Sequence, residues 1–488
     1  MITLRAYQQD MIDRLRGQLS EHQRVLLQAP TGAGKTALAV HMMGNAAARG
    51  RTSMFLVHQN ELLKQTSAAL WRQRLQHGMI APNRARSMLP MQVASVQTLV
   101  RRLDRYSDPS LIIIDEAHRS VSATYQKIIA AYPSAYVVGL TATPRRTDGR
   151  GLDEIYSSLV PGPEIRWLID HGWLCDYKLV SSALGINTSS LKTVGGDYSG
   201  AALAGITDKP TITGSAVAEY LRHTRGKRCV TMCVSIEHAR NVAEAYKNAG
   251  VPAASIEGDM TSAEREKILE DFRDGRLKVI TNVNLLVEGV DIPAIEVVQW
   301  LRATKSLVIW MQGNGRGLRP FVGKPFLIIM DHVNNWREHG LPDESRKWSL
   351  APRKKGRGKS DDDEEPEISA TQCDHCGDVF TRGPKVCPGC GHELPVMSRI
   401  PEETPGQLVE IERKEAIKQR RIEQGMARSI PELVVVGITR NFSKPAEWAA
   451  ITFAKRARRK PIPSDFKEAR EALAAIKLGR VIDDGSII

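Results

Sequence analysis

Short apolar runs alternate with helical patterns over the N-terminal part of the chain. The runs are apolar on both faces, which is typical of parallel strands that helices cover on each side. Residues 36–48 and 60–73 have helical spacing and lie between such runs. This order predicts a βαβ-type α/β domain over residues 1–183, with strands at 25–30, 53–58, 91–96, 111–115 and 136–142.

A second alternating series follows a break in this pattern. Residues 184–212 are rich in Gly, Ser and Thr, so we place a domain junction there. The runs after it predict a second parallel sheet, in a domain spanning residues 184–345 that includes the junction, with strands at 229–235, 251–258, 277–283, 297–301 and 325–331.

The C-terminal part of the chain has a different composition. Residues 346–370 are predicted to be a charged linker, because a basic block is followed by an acidic one without an apolar pattern. A cysteine module at 371–395 and a basic, partly helical tail at 396–488 complete the chain. The expected architecture is therefore α/β, with two tandem parallel-sheet domains, a small module and a mostly helical tail.

Composition limits the class of protein. A chain of 488 residues is too long for one ordinary core, and its 42% apolar and 25% charged residues are ordinary for a soluble globular protein. The formal charge of +13 favours a polyanionic partner such as nucleic acid, although a well-solvated surface explains it equally. We expect no membrane association and a cytoplasmic location, because no apolar run approaches the ~20 residues of a membrane span and the N-terminus lacks a secretory signal pattern.

The sequence APTGAGKT at 29–36 lies between a predicted strand and a predicted helix. A glycine-rich loop in that position can wrap phosphates, because glycine allows the backbone angles that point N–H groups inward. Lys35 is expected to reach the β- and γ-phosphates of ATP, and the Thr36 hydroxyl to bind Mg²⁺. Ala29 replaces the usual first glycine. The predicted nucleotide contacts in the loop are Pro30, Thr31, Gly32, Ala33, Gly34, Lys35 and Thr36.

The acidic sequence DEAH at 115–118 closes the predicted strand LIIID. Asp115 is expected to hold the Mg²⁺ through water, and Glu116 to orient and deprotonate the water that attacks the γ-phosphate. His118 either couples hydrolysis to movement or only makes a hydrogen bond within its domain.

The sequence QGNGRGLR at 312–319 places Arg316 and Arg319 three residues apart at a predicted helix start, so that both could face one side. Guanidinium groups that reach the cleft from a second domain stabilise the charge that spreads over a transferring phosphate. Both arginines are therefore predicted to be catalytic, and a pair of surface salt-bridging arginines is the alternative.

Together these motifs resemble those of superfamily-2 helicases over nearly all of residues 1–345. The resemblance implies two RecA-like domains with ATP in the cleft between them. Segments 57–66 and 93–99 look like nucleic-acid-contacting motifs, and 233–239 and 256–265 look like the segments that open the second domain. The site residues that it implies are Arg5 and Gln8 for the adenine, Thr141 and Thr143 for coupling, Gly289 and Asp291 near the nucleotide, and Gln312 in the catalytic set.

Within that superfamily, the motifs differ from those of the DEAD-box RNA helicases. The chain is most similar to the bacterial RadD-like helicases, relatives of the XPB-type DNA helicases. This similarity lies in VGGDYSGAALA (194–204), MDHVNNWREHG (330–340) and the cysteine module. It implies DNA rather than RNA as the partner, and repair, recombination or replication as the context.

The cysteine module has the spacing C-x2-C-x10-C-x2-C. Two such knuckles predict a tetrahedral Zn²⁺ site, whereas redox activity fits a single C-x-x-C better. The module is too small for a sufficient core and is expected to depend on the metal to fold. Its predicted ligands are Cys373, Cys376, Cys387 and Cys390, and the remaining cysteines, Cys175, Cys229 and Cys233, are predicted to be buried thiols.

The tail contains a basic stretch, FAKRARRK at 453–460, after Phe442 and Trp448. Positive charge near aromatic rings suits single-stranded nucleic acid, but a solvated helix face explains it equally. Residues 410–424 predict an exposed helix of mixed charge.

The leading hypothesis is an ATP-dependent DNA helicase or translocase that hydrolyses ATP to ADP and phosphate. The alternatives are a double-stranded DNA translocase that does not separate strands, an RNA helicase, and a catalytically weak DNA-binding module. The last is disfavoured because Lys35, Asp115, Glu116 and both arginines are intact. Protein partners of the module or tail stay open.

Overall fold

The computed structural model describes residues 2–145, 150–181, 193–194, 197–198, 203, 210–224, 226–283, 294–352, 370–394, 427, 429–439, 442, 444–457 and 459–477. The chain divides into two compact units, Met1–Pro395 and Val396–Ile488. Within the described ranges, no helix is long and apolar enough to cross a membrane.

The first lobe is built on a parallel sheet with the strand order β3-β4-β2-β5-β6-β1-β7. Its strands are β1 (Arg24–Gln28), β2 (Ser53–Val57), β3 (Gly78–Ile80), β4 (Met91–Ser95), β5 (Leu111–Asp115), β6 (Tyr136–Thr141) and β7 (Ser158–Val160). Its helices are α1 (Ala6–Leu19), α2 (Lys35–Ala48), α3 (Asn60–Arg72), α4 (Val96–Leu99), α5 (Ala123–Ala131) and α6 (Ile165–Asp170).

The central strands of this sheet explain where its chemistry lies. Ile112, Ile113 and Ile114 of β5 are all fully buried, as expected for a strand that is covered on both faces. Strand β6 pairs with β5 on one side and with β1 on the other, in parallel. Because the carboxyl ends of parallel strands meet at one edge of a sheet, the segments that follow β1, β5 and β6 lie side by side.

The second lobe contains a sheet with the strand order β12-β13-β11-β14-β15-β8-β17-β16. Its strands are β8 (Asp176–Ser181), β11 (Cys229–Met232), β12 (Ala253–Ile256), β13 (Val279–Asn282), β14 (Val297–Trp300), β15 (Phe326–Asp331), β16 (Ala370–Gln372) and β17 (Asp378–Thr381), while β9 (Thr193–Val194) pairs separately with β10 (Asp197–Tyr198). Its helices are α7 (Pro210–Thr224), α8 (Ile236–Asn248), α9 (Ser262–Arg273), α10 (Leu307–Gly317) and α11 (Asn335–His339).

Strand β8 corrects the predicted position of the domain boundary. It precedes residue 183, yet it pairs in parallel with β15 along its whole length, from Asp176 opposite Phe326 to Ser181 opposite Asp331. The sheet of the second lobe therefore begins at Asp176. Local pattern could not assign this strand, because its partner lies far along the sequence.

The cysteine module continues the same sheet. Strand β17 pairs antiparallel with β8, with Asp378 opposite Val180 and Val379 opposite Leu179, and β16 lies outside it. The Gln372 side-chain amide also donates a hydrogen bond to the carbonyl of Ser181 at 2.8 Å. The module is therefore an edge of the second lobe.

Part of the predicted charged linker packs on the first lobe. The backbone N–H of Leu152 donates to the carbonyl of Leu350 at 2.7 Å. The Arg145 guanidinium lies 5.6 Å from the centre of the Trp348 ring. The start of the predicted linker is therefore structured, and residues 353–369 lie outside the described residues.

The tail unit is helical, as predicted, and its helices enclose a small apolar core. Its helices are α12 (Ile430–Thr439), α13 (Pro445–Arg456) and α14 (Pro463–Lys477). The buried side chains that they share are Ile430, Leu433, Val434, Ala446, Ala449, Ala450, Ala469 and Ala472. The predicted helix at 410–424 lies outside the described residues.

Candidate active site and metal centre

The loop between β1 and α2 has the backbone that a phosphate cradle requires. Gly32 and Gly34 have φ values of +91° and +87°, in the left-handed region that favours glycine. A Cβ at Gly32 would lie 2.7 Å from Cδ2 of Leu174, and one at Gly34 would lie 2.5 Å from Nε2 of Gln8. Both glycines are therefore favoured by their backbone conformation, and a Cβ at either position would also displace the end of a neighbouring side chain. Lys35 begins α2 directly after the loop.

Helix α1 holds the predicted adenine contacts against this loop. The Gln8 side-chain amide donates to the carbonyl of Ala33 at 2.8 Å, and the Tyr7 hydroxyl donates to the same oxygen at 3.1 Å. The Arg5 guanidinium lies 4.5 Å from the centre of the Trp173 ring. The sequence analysis did not identify Trp173 as a site residue, because it follows α6 and belongs to no motif that connects it with residues 4–8.

The Glu116 carboxylate lies at the centre of the site. Its Oε1 is 3.6 Å from Nζ of Lys35, and its Oε2 is 3.4 Å from Nδ1 of His118. Gln312 of the second lobe donates its side-chain amide to Oε2 at 3.1 Å. The structure therefore brings together residues from the phosphate loop, from the DEAH sequence and from the opposite lobe.

The electrostatics differ between the two neighbouring carboxyl groups. Burial opposes ionisation of Glu116, but the Lys35 ammonium, the His118 ring and the Arg316 guanidinium outweigh it and hold its pKa below the usual range. Burial and the adjacent charge of Glu116 raise the pKa of Asp115. Glu116 is therefore ionised, as an acceptor of a proton from water must be.

The predicted coupling residues Thr141 and Thr143 lie at the end of β6, where Thr141 contacts His118. The Thr141 hydroxyl accepts from the Thr143 backbone N–H at 3.2 Å and donates to the Thr143 carbonyl at 3.0 Å. Nδ1 of His118 lies 3.5 Å from Oγ1 of Thr141. His118 thus touches both the carboxylate and the threonine turn.

Helix α10 carries Gln312 and Arg316 to the cleft. The Ser306 hydroxyl accepts from the Ile309 backbone N–H at 3.4 Å and marks the helix start, whereas the helix ends at Gly317. The prediction that Arg316 and Arg319 stand at a helix start was wrong, since Arg316 lies in the last turn and Arg319 after it. The reason is that the apolar residues 307–311 form the first turns, and Pro320 follows the end.

A glycine lets this helix approach the phosphate loop. A Cβ at Gly315 would lie 2.4 Å from Cβ of Thr31, so only glycine fits there. Oγ1 of Thr31 and Oε1 of Gln312 are buried, and neither has a hydrogen-bond partner among the described residues. Buried polar atoms of this kind suit a polar ligand such as a nucleotide.

The structure describes only some of the remaining predicted nucleotide contacts. Pro30 is buried, whereas Thr36 is exposed in the first turn of α2. Gly289 and Asp291 lie outside the described residues.

The cysteine module satisfies the geometry of a zinc site. The Sγ atoms of Cys373, Cys376, Cys387 and Cys390 all lie within 4.8 Å of one another. The Sγ atoms of Cys373 and Cys390 lie 3.8 Å apart, and those of Cys376 and Cys387 lie 3.6 Å apart. A tetrahedral zinc ion with Zn–S bonds of about 2.3 Å would separate its sulfurs by about 3.8 Å, so the four thiols fit this metal. The remaining cysteines are buried, as predicted.

Comparisons with known families match both lobes. Residues 1–146 match the family of the type III restriction enzyme, res subunit, and residues 213–320 match the helicase conserved C-terminal domain. A 51.5 kDa protein of a Lactococcus phage is 32% identical over 80% of this chain and 83% of its own length. The chain belongs to the superfamily-2 helicases. It is an ATP-hydrolysing enzyme of that family, a nucleic-acid helicase or translocase.

This helicase also resembles named relatives. A protein of Saccharomyces cerevisiae named as the ATP-dependent helicase IRC3 is 30% identical over 68% of this chain and 51% of its own length, so the chain spans about half of that relative. The DNA 3'-5' translocase XPB2 of Sulfurisphaera tokodaii is 25% identical over 60% of this chain and 73% of its own length. A fragment described as an HsdR subunit of a type I restriction enzyme from Vibrio vulnificus shares the fold, with a TM-score of 0.54, 23% identity and coverage of 70% of this chain and 67% of that one.

Proposed function

We propose that this helicase is an ATP-driven motor on DNA, of the RadD-like group related to XPB-type helicases, with a role in DNA repair, recombination or replication. The observation that carries the proposal is the position of Glu116. It lies between Lys35 of the first lobe and Gln312 of the second, so the hydrolytic centre is complete only when both lobes contribute. Such an arrangement links ATP turnover to movement of the lobes.

The residues of the first lobe would have separate roles at the phosphates of ATP. Lys35 would neutralise the β- and γ-phosphates, and Thr36 and Asp115 would hold a Mg²⁺ ion, which neutralises phosphate charge when bound. Glu116 would accept the proton of the attacking water. Its depressed pKa keeps it ionised for that purpose.

The residues of the second lobe would complete the site. Arg316 and Arg319 would stabilise the charge on the transferring phosphate, and Gln312 would orient the Glu116 carboxylate and the water beside it. Arg5 and Gln8 would read the adenine, which requires the Gln8 amide to share or release its bond to Ala33. His118 would relay the state of Glu116 to Thr141.

The four cysteines of the module would hold a zinc ion as thiolates. The metal would fix the two knuckles, and therefore the edge strands β16 and β17, against β8. We propose a structural role for this site within the second lobe, because the module extends that lobe's sheet.

DNA is favoured over RNA for two reasons. The first lobe matches a family of restriction-enzyme subunits, and a DNA translocase is among the relatives. The formal charge of +13 suits a polyanion of either kind. The similarity to DNA enzymes therefore supports DNA, whereas the charge does not distinguish the two polymers.

One experiment tests the motor and its carboxylate together. ATP turnover is measured with single-stranded, double-stranded and forked DNA and with RNA, each at two salt concentrations. We expect stimulation by DNA, and we expect Glu116→Gln to lower turnover by about 10²-fold or more while ATP binding persists. Glu154→Gln, an exposed carboxyl of the same lobe, is the matched control. Near-normal turnover of Glu116→Gln would refute its assignment, and stimulation by RNA alone would refute the choice of DNA.

A double-stranded DNA translocase that does not separate strands is a second candidate. The match of the first lobe to the res subunit family favours it. Displacement of a third strand from a triplex, without release of a strand from a fork, would identify this activity. Strand release from the fork would identify a helicase.

A further inference from the structure

Lys324 is a buried lysine that the proposed mechanism does not use. It lies in the turn between α10 and β15, and only 8% of its surface is exposed. Burial lowers its pKa, because the charged ammonium loses its hydration. A lysine in such a position costs stability unless its amine makes specific bonds.

Its amine bonds to the backbone that carries the two arginines. Nζ of Lys324 donates to the carbonyls of Gly317 and, at 2.9 Å, of Arg319. These oxygens belong to the end of α10, where carbonyl groups lack partners within the helix and the helix dipole favours a cation. Arg316 immediately precedes this point.

The carbonyl of Leu318, which lies between those of Gly317 and Arg319, is bonded by Cys175. The Cys175 backbone N–H donates to the carbonyl of Leu318 at 2.9 Å, and the Cys175 thiol lies 3.6 Å from the carbonyl of Gly317. Leu174, the preceding residue, packs against Gly32 of the phosphate loop. The end of α10 is thus fixed relative to the loop.

We propose that Lys324 is a positioning residue for Arg316 and Arg319. Its amine fixes the backbone at residues 317 and 319, while Cys175 fixes residue 318, so that both guanidinium groups stay in register with the phosphate loop. The closeness of that loop makes the register matter, since a Cβ at Gly32 would lie 3.9 Å from Cγ of Arg319 and one at Gly315 would lie 2.4 Å from Thr31. This inference rests on the proposed catalytic role of the arginines.

The test compares Lys324→Met, which keeps the apolar stem and removes the amine, with Arg316→Ala. A shift of the arginines by about 1 Å can lower a rate by about 10²-fold, so we expect kcat of Lys324→Met to fall by 10- to 10²-fold. KM for ATP should change by less than about 3-fold, because the phosphate loop is intact. Lys247→Met, an exposed lysine of the same lobe, should keep the kcat of the native chain.

A double variant separates positioning from loss of stability. If Lys324 acts through the arginine, Lys324→Met should cause little further loss of kcat in the Arg316→Ala background. A full further loss in that background, or a fall in the melting temperature of Lys324→Met with unchanged kcat at a temperature where it is folded, would overturn the inference. If Arg316→Ala itself keeps its kcat, the proposed role of the arginines fails first, and the inference fails with it.

Discussion

At the scale of single residues, Glu116 has a strained backbone at the centre of the proposed site. Its φ and ψ are 48° and 55°, a left-handed conformation that costs a non-glycine residue of the order of 1 kcal/mol or more. The residue lies between the end of β5 and a short 3₁₀ turn, Ala117–Arg119. This turn directs the carboxylate towards Lys35 and places His118 beside it.

The proposed catalytic role of Arg316 and Arg319 can be tested by substituting each residue singly. Arg316→Ala or Arg319→Ala should lower kcat for ATP by roughly 10³-fold, the low end of the range for arginine fingers, because each removes charge stabilisation at the transferring phosphate. Nucleotide affinity should change little, since the phosphate loop supplies most ground-state contacts. Steady-state turnover and nucleotide titration check this prediction.

Arg273→Ala provides a matched control for these variants. Arg273 lies at the end of α9 in the same lobe, and its ion pair with Glu266 is exposed, so turnover should be unchanged. Weaker ATP binding with an intact kcat in either motif variant would show that the arginine contributes to binding rather than to catalysis.

At the scale of elements, the sequence predicted strands whose signal lies in their own residues. The apolar runs at 111–115 and 136–142 became β5 and β6, with ends within one residue of prediction, because a buried parallel strand has a strong apolar pattern. Strand β3 was missed, since three residues are too few to show a period. The membership of β8 and β17 in one sheet depends on pairing between distant segments, which no local pattern shows.

The same contrast between local motifs and contacts among distant segments holds for the candidate site. The motifs identified Lys35, Glu116 and Gln312 individually, and the structure shows that one carboxylate contacts both of the others. Lys324 and Trp173 could not be found in this way, because their importance depends on neighbours that lie in other elements.

Metal binding by the cysteine module is a testable property of a single structural element. Elemental analysis should find zinc bound to the chain, and Cys373→Ser with Cys376→Ser should abolish it, because two of the four thiolates are lost. Folding of the module and binding of the metal are one free energy, so limited proteolysis should then cleave between residues 352 and 400. Cys233→Ala, a buried thiol elsewhere in the lobe, should keep the metal. Absence of metal, or iron in its place, would contradict the zinc assignment.

At the scale of the whole molecule, the positive charge is not equally available to a polyanion. In the tail unit, Arg459 makes two hydrogen bonds to the Asp465 carboxylate, at 2.6 and 2.7 Å, and the Asp465 side chain is only 5% exposed. Arg456 donates to the carbonyl of Ala427 at 2.5 Å. The basic stretch 453–460 therefore contributes partly to the tail's own structure, which a count of charges does not show.

Substitutions in the basic stretch can separate a role in the tail's own structure from a role in binding DNA. If the stretch lies along a phosphate backbone, Lys455→Gln and Arg458→Gln, the latter outside the described residues, should weaken binding to every DNA sequence alike. Each lost contact should flatten the slope of log K against log salt by up to about 0.7–0.9. Arg459→Gln should instead lower the melting temperature of the tail helices, because it leaves the buried Asp465 carboxylate with the Ile462 backbone N–H but without its cationic partner.

Turnover at saturating DNA should survive in all of these variants, since the proposed catalytic residues belong to the two lobes. An unchanged salt slope in the combined Lys455 and Arg458 variant would show that the stretch is a solvated helix face. Stronger stimulation of the native chain by RNA than by any form of DNA would show that similarity to DNA enzymes does not extend to the choice of polymer. The salt slope and the stimulation are independent measurements, so the tail's role and the motor's substrate can each be decided without the other.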